Sequence, residues 1–181
     1  MHLVTLAGSP SAHSRSSWLL QRAAAALSRP SRTSHHIVLR ELPAEALLHA
    51  DARHPALAAA IEQVLAADLL LVATPIYKAA YSGLLKTFLD LLPPDALRDK
   101  RVLPIATGGS PGHLLALDYA LKPVLAALGA RHIGDAVYVL DSLLPLDVSG
   151  QYRLASELDQ RLQRALHGLL PTPSPLALEP A

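Results

Sequence analysis

Three short stretches of this chain, residues 3–7, 69–74 and 102–107, are apolar nearly from end to end, and each runs into a loop followed by a longer helical pattern. A strand that is apolar on alternate and intervening positions alike has no side to turn to water, so the sheet it joins must be covered on both faces. Weaker runs at residues 36–40 and 136–140 bring the expected strands to five. Between them the apolar spacing becomes helical. Leu19, Leu20, Ala23, Ala24 and Leu27 line one face, and Leu57, Ile61, Val64 and Leu65 line another behind Pro55, a residue suited to a first helical position. Leu154, Leu158, Leu162, Ala165 and Leu166 mark a last helix after the turn-like residues 147–150, and a short helix is expected at residues 44–48. This alternation predicts an α/β fold: a doubly wound, five-stranded parallel sheet of order 2-1-3-4-5 with helices on both faces. With 51% of its 181 residues hydrophobic, the chain can build one well-packed domain and is short for two. We expect a single domain over residues 1–170. The tail, residues 171–181, carries Pro171, Pro173, Pro175 and Pro180 and is expected to be disordered.

Composition removes several classes of function. A formal charge of +1, no lysine- or arginine-rich run and only 4% aromatic residues argue against a nucleic-acid partner. The absence of cysteine excludes disulfides, thiolate metal sites and cysteine nucleophiles. The histidines show no spacing with carboxylates that a metal would need, so no metal site is expected. Met1-His2 supplies no basic region ahead of an apolar one, and no apolar stretch approaches the ~20 residues of a membrane span. The expectation is a soluble, cytoplasmic protein with no membrane partner.

In doubly wound sheets, ligands bind beyond the carboxyl ends of the strands where the strand order reverses. Here the loops at residues 8–17, 75–83 and 107–112 should therefore converge. The first offers Ser9, Ser11, Ser14, Ser16 and Ser17 as hydroxyl donors, Arg15 as a cation, and a helix N-terminus with unpaired N–H groups. These are the parts of a phosphate site, although serines in such a place also simply cap helices. Neither a Gly-x-Gly-x-x-Gly nor a Gly-Lys-Ser/Thr follows Gly8, which excludes a dinucleotide fingerprint and an ATPase phosphate loop. The second loop carries Pro75, Ile76, Tyr77, Lys78 and Tyr81. Pro75 removes a donor and stiffens the turn, and Tyr77 offers a flat apolar wall. The third, with Thr107, Gly108, Gly109, Ser110 and His113, brings bare backbone to the same place, where N–H groups can stabilise negative charge. Taken alone, the two glycines fit a simple turn equally well, and His113 fits a helix cap. Together the loops suit one ligand with an anionic end and a flat apolar end, the shape of flavin mononucleotide (FMN).

A separate irregularity lies in the helical pattern of residues 114–128. Pro123 has no N–H to give the carbonyl of Tyr119, four residues earlier. Either the helix kinks there or an extra residue is accommodated as a wide π-type turn, and such turns are frequent at functional sites.

Several blocks carry a resemblance: Leu-Ala-Gly-Ser-Pro at 6–10 with Ser14, Arg15, Ser16 and Ser17, Ala-Thr-Pro-Ile-Tyr-Lys-Ala-Ala-Tyr-Ser-Gly-Leu-Leu-Lys at 73–86, Ala-Thr-Gly-Gly at 106–109 and Leu-Asp-Tyr-Ala-Leu-Lys-Pro-Val-Leu at 117–125. In this order they resemble the NADPH-dependent FMN reductases of two-component alkanesulfonate monooxygenase systems. The resemblance covers about residues 3–140. It implies a flavodoxin-like fold, reduction of FMN by NADPH, and delivery of reduced flavin to a separate flavin-dependent monooxygenase in sulfur acquisition. By the same resemblance Ser9, Ser14, Ser16, Ser17 and Arg15 hold the FMN phosphate. Pro75, Ile76, Tyr77 and Lys78 line the ring, and Thr107, Gly108, Gly109 and Ser110 lie by its pyrimidine end. Tyr119 matches a tyrosine that sits in a π-helix at a tetramer interface and governs flavin behaviour, and Tyr81 is grouped with it. Ser11 departs from the pattern, since many relatives carry arginine there.

The expected reaction is direct hydride transfer between nicotinamide and flavin, with no side chain required as acid or base. The cation for the 2′-phosphate of NADPH is left open between Lys78 and a neighbouring subunit. The same fold also serves reductases that keep FMN bound and pass electrons to quinones, azo dyes or metal oxyanions, as well as electron carriers, which tend to be strongly acidic. The apolar helices at 84–92 and 114–128 predict a homo-oligomer, and the resemblance favours a tetramer over a dimer.

Overall fold

The computed structural model describes residues 1–170; the proline-rich tail assigned to 171–181 lies outside the described residues. Its strands are β1 (His2–Ala7), β2 (Thr33–Val38), β3 (Leu69–Tyr77), β4 (Ala80–Tyr81), β5 (Arg101–Gly108), β6 (His132–Ile133) and β7 (Val137–Leu140). Its helices are α1 (Arg15–Leu27), α2 (Ala44–Leu48), α3 (Pro55–Leu65), α4 (Gly83–Leu89), α5 (Lys122–Ala127) and α6 (Ser156–Leu169), with a π-helix over Leu117–Leu121 just before α5. Among the described residues no helix is long and apolar enough to cross a membrane.

The parallel strands lie in the order β2-β1-β3-β5, and both β6 and β7 pair with the outer side of β5. The doubly wound plan is as expected, but the simple order 2-1-3-4-5 needs two corrections. A short strand, β4, folds back antiparallel on β3, and the fifth strand is divided into β6 and β7. Pro104 accounts for the division. Val102 accepts from Gly134 N at 2.8 Å on the outer side of β5, and a strand repeats its direction every two residues. Pro104 therefore turns its nitrogen toward the same outer neighbour and has no hydrogen to give. Pairing stops after Ile133 and resumes at Val137, opposite Ile105.

The second strand also begins earlier than residues 36–40: it spans Thr33–Val38, and Leu39–Glu41 turn as a 3₁₀ helix. As an edge strand it exposes its first four residues, all polar, so hydropathy marked its later part and not its start. Pro55 stands in the first turn of α3, as its chemistry requires.

Side chains from successive positions of the central strands enter two cores. Leu71 and Leu103 pack with Leu19, Leu20, Leu162 and Leu166 under α1 and α6. Leu70, Val72 and Val102 pack with Leu57, Val64, Leu85 and Phe88 under α3 and α4. Each such fully buried side chain stabilises the fold by about 1.5–3 kcal/mol relative to an exposed one. At the opposite end of the sheet from the loops, the buried Lys100 ammonium donates to the carbonyls of Leu65 (2.6 Å) and Ala67 (2.9 Å), closing the end of α3. Burial pushes its pKa below the usual lysine value.

Candidate active site

Where β1 ends, the amide of Gly8 donates to the Ala73 carbonyl at 2.7 Å, so the first loop leaves the sheet pressed against β3. The buried Ser9 hydroxyl accepts from Ser11 N at 3.2 Å, and Ser11 Oγ donates to the His13 carbonyl at 3.1 Å. Ser11 is thereby tied into its own loop. Ser14 is the N-cap of α1. Its Oγ accepts from Ser17 N at 3.2 Å and lies 3.0 Å from Ser16 Oγ. Ser17 Oγ is buried with no hydrogen-bond partner. The first turn of α1 contains no acidic residue that would oppose an anion at its positive end.

The second segment is more ordered than a loop. β3 continues through Thr74, Pro75 and Ile76 to Tyr77, with Pro75 opposite Thr107 of β5. Pro75 is therefore a strand residue; the turn comes later. It is a two-residue hairpin turn at Lys78 and Ala79, both with positive φ (49° and 61°), and β4 returns with Tyr81 opposite Ile76. Such turns favour Asn-Gly, because left-handed backbone crowds a Cβ. Ser82 then ties the segments together. Its amide donates to Thr74 Oγ1 at 2.9 Å, its hydroxyl accepts from Leu85 N at 3.1 Å to cap α4, and the same hydroxyl donates to the carbonyl of Gly8. Tyr77 is 50% exposed at the strand end. Tyr81 is partly buried, and that burial pushes its pKa up despite the nearby Lys86. Lys86 pairs with Asp90 at 2.6 Å on the exposed face of α4.

The third segment leaves β5 at Gly108. A Cβ there would meet Tyr138 Oη at 2.8 Å, Ile76 Cβ at 3.3 Å and His113 Nδ1 at 3.3 Å, so only glycine fits. Tyr138 Oη donates to the Ser110 carbonyl at 2.6 Å and fixes the loop from behind. Gly109 is exposed, with open space where a side chain would be. His113 stands on a 3₁₀ turn, Pro111–Leu114, and its Nδ1 is buried without a partner.

Gly8 thus touches Ala73 and Ser82, and Gly108 touches Ile76. These contacts bring Ser9, Ser14, Arg15, Ser16, Ser17, Pro75, Ile76, Tyr77, Lys78, Thr107, Gly108, Gly109, Ser110 and His113 to the carboxyl edge of β1, β3 and β5. The donor chemistry is graded along it. At one end are a helix N-terminus, an orphaned buried hydroxyl and a guanidinium; at the other are a half-exposed tyrosine ring and bare glycine backbone. Such a set fits a ligand with a phosphate at one end and a flat heterocycle at the other. Ser82 and Tyr138, which hold the loops in place, were not singled out in the sequence. The Ser-Gly pair before an apolar run signals the helix cap at Ser82, but nothing in the pattern points to its bond with Gly8.

Beside this edge the helical pattern is interrupted as Pro123 requires, and of the two possible forms the structure adopts the π-helix. Lys122 N donates to the carbonyl of Leu117, five residues back. Tyr119 projects from it, 79% exposed, and Leu114 and Leu115 are exposed nearby in sequence.

The family profile described as NADPH-dependent FMN reductase matches residues 1–143. This chain belongs to the NADPH-dependent FMN reductase family. The reductase is 50% identical over 166 residues to FMN reductase (NADPH) of Escherichia coli strain K12, covering 92% of this chain and 86% of that protein. To FMN reductase (NADPH) of Pseudomonas putida KT2440 it is 45% identical over 172 residues, 95% of this chain and 86% of the relative. Among solved structures, the apo form of an NADH:FMN oxidoreductase superposes with a TM-score of 0.84 at 40% identity, covering 93% of this chain and 87% of that one. Membership makes the reductase an oxidoreductase, with FMN as its flavin and NADPH as its electron donor.

Proposed function

We propose that the carboxyl-edge crevice is the active site, that FMN lies along it, and that reduced flavin leaves for a partner flavin-dependent monooxygenase in the acquisition of sulfur from sulfonates. The observation that carries this reading is the single edge made by three distant segments through the Gly8–Ser82 and Gly108–Ile76 contacts. Bound flavin supplies the hydride-accepting ring. The protein supplies position. Ser17 Oγ and the open N–H groups of α1 donate to the phosphate, joined by Ser9, Ser14 and Ser16 as the loop that shapes the cradle and by Arg15 as the cation. Pro75, Ile76, Tyr77 and Lys78 form the wall of the ring, and the N–H groups at Gly108, Gly109 and Ser110 face its pyrimidine end, where they polarise it. No side chain needs to move a proton in the transfer itself, so orientation accounts for the rate. Lys78, exposed at the hairpin tip, is a cation that this chain can offer to the 2′-phosphate of NADPH, the alternative being one from a neighbouring subunit.

Delivery to a partner is supported by the openness of the site, whose ring wall is half solvent-exposed at Tyr77, and by the sequence blocks that resemble the sulfonate systems. Assembly as a homo-oligomer, a tetramer rather than a dimer, is supported by apolar surface in two places. Leu114, Leu115 and Tyr119 are exposed beside the crevice, and Leu39, Leu42, Leu47, Leu48 and Leu84 line a groove of about 430 Å³ between α2 and α4. Tyr119 on its π-helix would then lie at an interface and tune how tightly flavin is held, with Tyr81 behind it.

The test is NADPH oxidation followed with and without added FMN, with the reduced flavin then offered to a flavin-dependent monooxygenase. Turnover that depends on added FMN and is coupled to sulfonate cleavage is expected. Flavin that stays bound through many turnovers while quinone is reduced would replace the delivery role.

A further inference from the structure

The loop between β7 and α6 lies almost wholly beyond the family match, which ends at residue 143, yet it closes on the phosphate end of the crevice. It is internally braced. One carboxylate oxygen of Asp147 accepts from Ser149 N (2.8 Å), Ser149 Oγ (2.6 Å) and Gln151 N (3.0 Å), and the other accepts from Arg153 Nε (3.2 Å). Leu146 and Tyr152 form an antiparallel bridge across it. The bracing presents two groups to Arg15, which is 129 residues from one and 137 from the other. The Leu144 carbonyl accepts from Arg15 Nε at 3.4 Å, and the Arg15 guanidinium lies 5.5 Å from the centre of the Tyr152 ring. Tyr152 is itself set edge-on against Trp18, one turn further along α1, at 5.9 Å and 64°. Among the described residues, Nε is the only part of the guanidinium that makes a hydrogen bond.

We propose that Tyr152 is a positioning residue for FMN binding: it holds the Arg15 guanidinium over its ring so that the two terminal amines face the flavin phosphate. A guanidinium is a planar fork, and its use against a phosphate depends on which edge it shows. With Nε bonded to the Leu144 carbonyl and the charge held 5.5 Å from the Tyr152 ring centre, the terminal amines are the edge that remains. Leucine or glutamine at 152 would leave the charge in place and remove its orientation. The inference rests on the reading of residues 9–17 as the phosphate site.

The experiment separates the two claims by comparing FMN with riboflavin, which has the ring and no phosphate. Dissociation constants for both are measured on the full chain by flavin fluorescence quenching, for wild type, Arg15→Ala, Tyr152→Leu, Tyr152→Gln, Tyr152→Phe and the Arg15→Ala/Tyr152→Leu pair. Arg15→Ala should cut the preference for FMN by about 10- to 100-fold, the value of a charge-assisted bond to phosphate. Tyr152→Leu and Tyr152→Gln should cut it by about two- to fivefold, the value of an exposed cation–π contact, with riboflavin affinity unchanged. Tyr152→Phe, which keeps the ring, should retain the preference, and the double variant should be no worse than Arg15→Ala alone. If both Tyr152 variants leave the preference intact, or weaken the two flavins equally, while Arg15→Ala lowers it, Tyr152 is only structural and the inference fails. If Arg15→Ala leaves the preference unchanged, the phosphate reading itself fails and takes this inference with it.

Discussion

A Cβ placed on Gly8 would sit 2.9 Å from the Cβ of Leu85 and 3.0 Å from the carbonyl oxygen of Ala73. The turn out of β1 and the first turn of α4 are therefore in contact with no room for a methyl group. This contact, together with the hydroxyl of Ser82 donating to the Gly8 carbonyl, sets how close the first two segments of the site come.

Gly8→Ala should accordingly destabilise the reductase by about 1–3 kcal/mol, the usual cost of overpacking. Trimming the neighbour does not help: Leu85→Ala keeps the offending Cβ, so the double variant should be no more stable than Gly8→Ala. Urea midpoints for the three proteins test this, and a double variant that recovers wild-type stability would mean the contact relaxes.

The hairpin tip stores strain in the opposite sense. Lys78 and Ala79 both hold positive φ without being glycine or asparagine. Ala79→Gly should raise stability by up to about 1 kcal/mol, since relief of the left-handed penalty outweighs the extra entropy of the unfolded chain. A higher melting temperature is the expected reading.

Lys100 is buried, and its ammonium serves two carbonyls at once. Lys100→Met should cost about 2–3 kcal/mol, because both bonds to the charge are lost and buried acceptors are left unmet. The crevice is at the other end of the sheet, so FMN affinity should stay within a factor of about two, a difference of some tenths of a kcal/mol. Chemical denaturation and flavin titration of the same sample check the two halves.

Tyr138 provides the pH test. Burial, with a smaller contribution from Asp141, raises its pKa above the ordinary 10.0. A raised folded-state pKa means the native protein holds the proton longer than the unfolded chain. The contribution is therefore complete below pH 10 and is lost as pH rises through the folded value. Tyr138→Phe should remove that alkaline loss while costing about 1 kcal/mol at neutral pH for the unpaired Ser110 carbonyl. Stability against pH from 8 to 11.5, set beside tyrosinate absorbance, shows whether the two curves move together.

Local chemistry determined what the chain alone could determine. Continuous apolar runs at β1, β3 and β5 require covered sheet faces, which fixes the layered plan, and the position of the loops follows from it. Pro123 likewise acts on one carbonyl four residues away, so a defect beside Tyr119 was legible without coordinates. Pro104 was equally local but went unread, because its effect depends on which neighbour its nitrogen faces, and that direction comes from sheet register. The true start of β2 escaped because an edge strand can be polar, and the β4 hairpin because its turn uses Lys78 and Ala79 where Asn-Gly would be the signal. The tertiary structure alone decided that a π-helix and not a kink answers Pro123, that Ser82 closes on Gly8, and that Tyr152 meets Arg15. These are pairings across 74 and 137 residues or choices between forms of similar energy. Periodicity and spacing say which side of an element is buried; only the packed chain says which distant side chain arrives to meet it.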